Sequence, residues 1–407
     1  MLVTLIPLFD ETMAVQAYSL FTQKKNHLLT PSLLGTGSND GAADIAGLDL
    51  IESIGIETLS MDKEIFVEVN NISIFSDISG QTQTQHDRLV LLANNTIKPD
   101  EMYINRFKEL KKMRYKIAFR KLADDDFEAY HELLLLTDYI LLSPAKNDMK
   151  KAYKHLSNVY PHIKICAGQV DTQEDFDALK KIGFDLYEGG FFRLPITQGE
   201  EEVAPLKVNY ISLLNLVNDS DFDLTKAADV IGRDTALVIS LLRMVNKMTV
   251  NSEITSIRHA AAMLGQKELK KWINTAVTNE LCADKPNEIT RLSLLRAKFA
   301  ESLAPVFEMS VHSSELFLMG LFSVLDLILN KPMKEALMMV HVSKLIENAL
   351  IDDKGELAPV MDFIIQYEKA DWQEVSRQML LKRIDINQVY DAYTSSLKWY
   401  RDLFGTD

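Results

Sequence analysis

The sequence predicts an α/β half followed by an all-helical half, with the change near residue 196. Three observations carry this. Up to that point short apolar runs alternate with amphipathic segments. The segment "PITQGEEEVAPLK", 195–207, is then polar, acidic and proline-bearing, as a linker would be. Beyond it the apolar residues recur at helical spacing and the strand signal fades. With 407 residues, 47% of them hydrophobic, the chain has enough apolar surface for more than one packed domain.

The apolar runs of the first half are "LVTLIPLF", "EIFVEV", "RLVLLA", "KIAF", "YILLS", "HIKICA" and "DLYEGGFF". "MAVQAYSLF" follows the first after a short turn, which predicts one antiparallel hairpin at the start. Between later runs lie helical patterns such as "EMYINRFKELKKM" and "EDFDALKKIG", the second closed by Gly183 as a C-terminal cap. Strand and helix in alternation predict parallel strands, in a sheet or a barrel. In the second half "VNYISLLNLVND", "DLTKAADVIG", "DTALVISLLRMVNKM", "IRHAAAMLGQKELKKWINTAVTNELC" and "LSLLRAKFAESLAPVFE" read as helices. Asp223, Asp234 and Thr255 stand where N-caps are useful.

A net charge of −14 repels phosphates and anionic lipid, so no nucleic acid is expected as a partner. Cys166 and Cys282 form neither a disulfide framework nor a zinc spacing and fit a reducing cytoplasm. The N-terminus has no basic region or cleavage site of the kind a signal peptide carries. Glu315 and Asp326 interrupt the most hydrophobic run, 315–331, which is expected to be a buried helix and not a membrane insertion.

Little in the motifs suggests a working site. His86-Asp87 lies in a polar loop without further ligands converging on it, and reads as a solvated pair. His259 has no acidic residue one or four positions on, and His312 and His341 are scattered. The acidic loops "TNELCADKPNE" and "IDDKGE" lack the alternating oxygen ligands of a calcium loop. "YEGGFF" lacks the spacing of a phosphate-binding loop. Lys267, Lys270 and Lys271, with Arg258, form a basic stripe that reads either as an ordinary solvated face or as a contact surface for an acidic partner. The stretch "KIAFRKLADDDF", 116–127, places Arg120-Lys121 before Asp124, Asp125 and Asp126. Which of these ends the strand decides whether acids or cations line the site.

Residues 1–196 resemble a degenerate EAL domain, the barrel whose active members hydrolyse cyclic di-GMP with two metal ions. Residues 197–407 resemble an HDOD domain, a helical relative of the HD phosphohydrolases without their metal ligands. "PLFDETMAVQAYSLF", "LKKMRYKIAFRKL" and "IGFDLYEGGFF" carry the first resemblance. "LLNLVNDSDFDLTKAADVIGRDTALVISLLRMVNK", "ITSIRHAAAMLGQKELKKWI", "FLMGLFSVLDLILNKPM" and "YEKADW" carry the second. Tyr115, Ile117 and Ala118 set an ungapped register against LKxxGYxIALDDF. The resemblance then implies that Arg120 and Lys121 stand at the paired metal-binding aspartates, and that the acidic triplet starts or caps the next helix. It further implies that the motif glutamate is Ser19, the phosphate-binding arginine Gln23, a later glutamate Leu92, the catalytic lysine Leu141 and the aspartate beyond it Ser143. Asn70 matches the metal-binding asparagine, Gly168 stands for a glutamate, Asp171 for the second acid and Glu188 for a glutamine.

Two-metal hydrolysis needs carboxylates to neutralise the cations and orient a water. A divalent ion about 4 Å from one guanidinium meets roughly 8 kcal/mol of repulsion at an effective dielectric near 20. The expectation is therefore an inactive protein with no catalytic residue, metal or cofactor. It would act in the cytoplasm on other signalling proteins in cyclic di-GMP-linked control of motility or attachment. Cyclic di-GMP itself is not expected to bind, and a non-catalytic receptor or a residual phosphodiesterase are the alternatives.

Overall fold

The computed structural model describes residues 1–23, 45–197, 203, 205–219, 221–232, 234–248 and 254–404. Residues 198–202 and 204 of the expected linker lie outside the described residues. Eight strands form a closed barrel in sequence order: β1 Leu2–Phe9, β2 Val15–Gln23, β3 Glu64–Glu68, β4 Leu89–Ala93, β5 Lys116–Arg120, β6 Tyr139–Leu142, β7 Lys164–Ala167 and β8 Leu186–Glu188. β1 is antiparallel to both neighbours and every other pair is parallel. The expected hairpin and the parallel strands are both present. The parallel strands are buried on both faces, which is why β4 and β6 read as unbroken apolar runs.

Side chains alternate across a strand, so register decides what fills the barrel. Leu8, Ala17, Phe66, Val90, Leu92, Ala118, Tyr139, Leu141, Cys166 and Leu186 pack into one buried cluster drawn from all eight strands. Two residues further along their strands, the same parity turns Ser19, Glu68, Arg120 and Glu188 inward, and these residues line the barrel mouth. Helices cover the outside. Glu101–Lys112 buries Tyr103, Ile104, Phe107 and Leu110, a stripe at helical spacing. Fully buried residues such as Phe107 and Leu110 contribute about 2 kcal/mol each. Gly183 ends the helix Gln173–Ile182 at φ 106°, in the left-handed region that favours glycine.

The chain divides into two compact units. One comprises Met1–Leu194, Ser302–Ser310 and Asp362–Asp407, and the other Pro195–Glu301 and Val311–Met361. This differs from a single helical domain over 197–407, because the last helices group with the barrel. The reason is topological. A hairpin has no crossover helix, so the outer surface of β1 needs another cover. The helix Ile386–Phe404 contacts β1 and the short helix Ile56–Ser60, and it buries Val389, Tyr393 and Leu397.

Among its described residues, the regular secondary structure of the second unit is all helical. Asp223 accepts from the Thr225 N–H at 2.7 Å and Asp234 from the Leu237 N–H at 3.0 Å, so both cap helices as expected. Ser256, and not Thr255, caps the helix that begins at Ile257. Gly265, at φ 71° and ψ 171°, interrupts that helix between Ile257 and Leu281. The hydrophobic run at 315–331 forms two short helices, Ser313–Phe322 and Leu325–Leu329. Among the described residues no helix is long and apolar enough to cross a membrane.

Candidate functional site

Barrel enzymes place their chemistry at the C-terminal ends of the strands. At that end Arg120 is the last residue of β5 and is buried. Its Nη2 lies 2.9 Å from Glu188 Oε1, at the end of β8. Ser19 Oγ donates to the same carboxylate oxygen, and Arg120 Nη2 is 3.4 Å from that hydroxyl. The guanidinium also sits 5.0 Å from the centroid of the Phe21 ring, within range of a cation–π attraction. Strands β2, β5 and β8 are thus joined by one buried polar cluster.

Lys121 follows in the left-handed conformation, φ 64°. Its ammonium extends toward Glu68 at 4.0 Å, and Glu68 also accepts from Asn94 Nδ2 at 3.1 Å. The acidic triplet stands beyond the strand as a 3-10 turn. Asp124 accepts from Asn147 Nδ2 at 2.8 Å and the Asp148 N–H at 3.1 Å. Asp126 accepts from the Ala123 N–H at 2.8 Å, and Asp125 is exposed. Arg120 therefore ends the strand, while Asp126 holds a backbone donor of its own turn and Asp124 holds donors from the segment after β6.

Asn70 Oδ1 accepts from the N–H groups of Ile72 and Ser73, at 2.8 and 2.9 Å, an Asx turn of its own loop. Leu92 and Leu141 belong to the apolar barrel filling. Ser143 donates to Gln169, and Asp171 is exposed. A Cβ on Gly168 would come within 3.3 Å of the Leu142 carbonyl and 3.4 Å of Glu188 Oε2, so a side chain there would crowd the Glu188 carboxylate. Gln23 Nε2 is 3.3 Å from Ser376 Oγ, on the helix Trp372–Lys382. A Cβ on Gly189 would meet the Val170 backbone at 2.1 Å, which explains that glycine by close packing.

The two inward carboxylates each face a cation, Glu188 with Arg120 and Glu68 with Lys121. These residues do not fit a pair of divalent ions. Among the described residues no group of three or more His, Cys, Asp or Glu side chains could hold one. Cys166 lies in the barrel interior, where burial pushes its thiol well above the usual range. That disfavours the thiolate a nucleophile requires. His86 Nδ1 lies 2.9 Å from the Met113 carbonyl and its ring stacks on Tyr115 at 4.2 Å, so the His86-Asp87 doublet is packed, at least through its histidine.

In the helical unit His259 and His341 are exposed, and His312 Nε2 is 3.4 Å from Glu356. The basic stripe is largely engaged. Lys271 pairs with Glu301 at 2.6 Å, Arg258 with Asp229 at 3.0 Å, and Lys270 lies over Phe222 at 4.7 Å. Burial also lowers the Lys270 pKa, against the attraction of Asp219. Of the three lysines, Lys267 is the exposed one. Sequence spacing carried no hint that Glu188, 68 residues from Arg120, is its counterion, or that Ser376 reaches Gln23 across 353 positions.

The HDOD domain model matches residues 203–348. A curated relative from Vibrio cholerae, named cyclic di-GMP phosphodiesterase CdgJ, is 30% identical over 242 residues, covering 59% of this chain and 56% of that protein. The chain thus spans little more than half of that relative. YuxH of Bacillus subtilis, an uncharacterized protein, is 25% identical over 411 residues, covering 98% of this chain and 97% of the relative. Among solved structures, the manganese and cyclic di-GMP complex of Klebsiella pneumoniae BlrP1 is similar at 13% identity and a TM-score of 0.38, covering 47% of this chain and 55% of that one. The EAL domain of Mycobacterium smegmatis DcpA is similar at 11% identity and 0.35, covering 46% and 89%. The chain thus carries an HDOD domain in its helical half, and a closed eight-stranded barrel precedes it.

Proposed function

We propose that this EAL–HDOD chain is a non-catalytic signalling adaptor that works in the cytoplasm through protein–protein recognition, in cyclic di-GMP-linked regulation. The observation that carries the reading is the buried cluster of Arg120, Glu188 and Ser19 at the barrel mouth. A guanidinium already neutralises the carboxylate there, so a divalent ion would meet repulsion where it needs ligands. The same contact speaks against a receptor role. Arg120 suits phosphate chemically, but its Nη2 is held between Glu188 and Ser19. Phosphodiesterase activity is the named property of the Vibrio relative and belongs to that protein.

The test uses the full chain with magnesium or manganese and cyclic di-GMP. The expected result is no product above a heat-killed control and no binding heat in titration calorimetry. Metal-dependent turnover would overturn the reading. Binding heat without turnover would replace it with the receptor reading. Crosslinking capture from the source cell, read by mass spectrometry, then identifies the signalling protein it contacts.

A further inference from the structure

The β1–β8 seam of the barrel is short. Only Leu8↔Glu188 and Phe9↔Tyr187 pair across it, although β1 runs from Leu2. The rest of that edge would leave backbone donors open. Pro7, which has no N–H to offer, shares strand parity with Val3. The Val3 N–H donates to Tyr367 Oη at 3.1 Å. Tyr367 is fully buried, and its ring lies 5.3 Å from Trp372 and 5.0 Å from Tyr393.

Three more contacts hold the same segment to the barrel. Glu368 pairs with Arg193, just past β8, at 2.9 Å. Ser376 meets Gln23 at the end of β2. Arg401 donates to Thr58 at 2.9 Å. The first two, with Tyr367, cluster at the mouth end: on Val3 near the start of β1, beyond β8 and at the end of β2.

From these contacts we infer that residues 362–404 are a strap that latches the seam and the β2 edge of the mouth, and that it opens as one piece while the parallel strands stay closed. Any ligand or partner that uses the Gln23 side of the mouth must first displace Ser376. The strap is thus a gate on that side, independent of whether the site is catalytic. Its barrel contacts fall on β1, the end of β2, the segment past β8 and the helix Ile56–Ser60, and not on the ladders from β3 to β7, which is the condition for opening below the level of global unfolding.

The test is hydrogen exchange on the full chain, read by mass spectrometry. Tyr367→Phe removes the acceptor of the Val3 N–H and keeps the ring packing. Exchange should rise together in β1 and in 362–376 by about tenfold, the effect of one buried donor left unsatisfied. β4, β5 and β6 should keep wild-type protection. Leu381→Ser, at an exposed position of the helix Trp372–Lys382, should change neither segment. If Tyr367→Phe does not accumulate, Glu368→Gln should give the same paired rise. Wild-type exchange in β1 beside a loosened strap would overturn the proposal. So would an equal rise through β4–β6, which would make the segment part of one global unit.

Discussion

Arg120 and Glu188 form an ion pair 2.9 Å long in which each side chain is only 10% exposed. They come from strands that are not neighbours in the barrel, β5 and β8. The pair therefore crosses the mouth, and Ser19 from β2 supplies a third anchor on the same oxygen. Breaking such a pair leaves one buried charge without compensation, whereas replacing both partners removes the desolvation penalty as well.

Arg120→Met should consequently destabilise the protein by about 3–5 kcal/mol, and Arg120→Met with Glu188→Leu by much less. Denaturant titration of the two singles and the double gives the coupling directly. A single Arg120→Met within about 1 kcal/mol of wild type would show that the pair is not a structural element.

Restoring acids should not restore hydrolysis. Arg120→Asp with Lys121→Asp places a carboxylate against Glu188 in a buried cluster, where two like charges cannot both ionise readily. Leu92, Leu141, Ser143 and Gly168 still offer no ligand or lysine. The expected outcome is no metal-dependent turnover and a melting temperature lower by about 5 °C or more. Turnover in this variant that disappears on adding Glu68→Gln would mean that the remaining mouth residues suffice for catalysis.

The barrel was legible because a fully buried parallel strand writes an apolar run, and each run between "EIFVEV" and "HIKICA" contains a strand. Arg120 at the end of β5 was legible too, since an ungapped register from Tyr115 leaves it no other place. Its counterion was not. A contact between β5 and β8 depends on barrel closure, which leaves no trace in local spacing. The late helices were read as part of the helical half because their amphipathic pattern is the same whether they cover helices or β1. Periodicity records that Val389, Tyr393 and Leu397 are buried, but not against what.

Helix packing in the second unit gives a sharper test. Gly320, on Ser313–Phe322, approaches Asn287–Leu303 so closely that a Cβ would lie 2.4 Å from the Arg296 carbonyl oxygen and 2.6 Å from the Ala297 nitrogen. Backbone atoms cannot rotate away as a side chain can. Gly320→Ala should cost about 3 kcal/mol or more, at the upper end for overpacking, with Tm lowered accordingly. A Gly320→Ala variant as stable as wild type would show that the two helices can separate without loss.

The basic stripe leads to the last prediction. Lys271 pairs with Glu301, which Lys298 also contacts at 2.8 Å, and its ammonium lies over the Phe317 ring at 4.9 Å. Burial would raise the Glu301 pKa, but hydrogen bonds from Lys271 and Lys298 outweigh it and hold the carboxyl below its ordinary 4.5. A carboxylate depressed on folding stabilises the native state above its unfolded pKa and loses that contribution as pH falls through the folded value. The advantage of wild type over Glu301→Gln should therefore be flat from pH 7 to about 5, and shrink below about 4.5. At pH 7, Lys271→Glu should destabilise by about 3 kcal/mol, since it sets two carboxylates together. Lys267→Glu, at an exposed position, should stay within about 0.5 kcal/mol. Loss of a partner on reversing Lys271 would then report unfolding of the helical unit. Loss on reversing Lys267 alone, with unchanged stability, would mark a contact surface. Equal stability of Lys271→Glu and Lys267→Glu would refute the assignment of Lys271 to the interior of the unit.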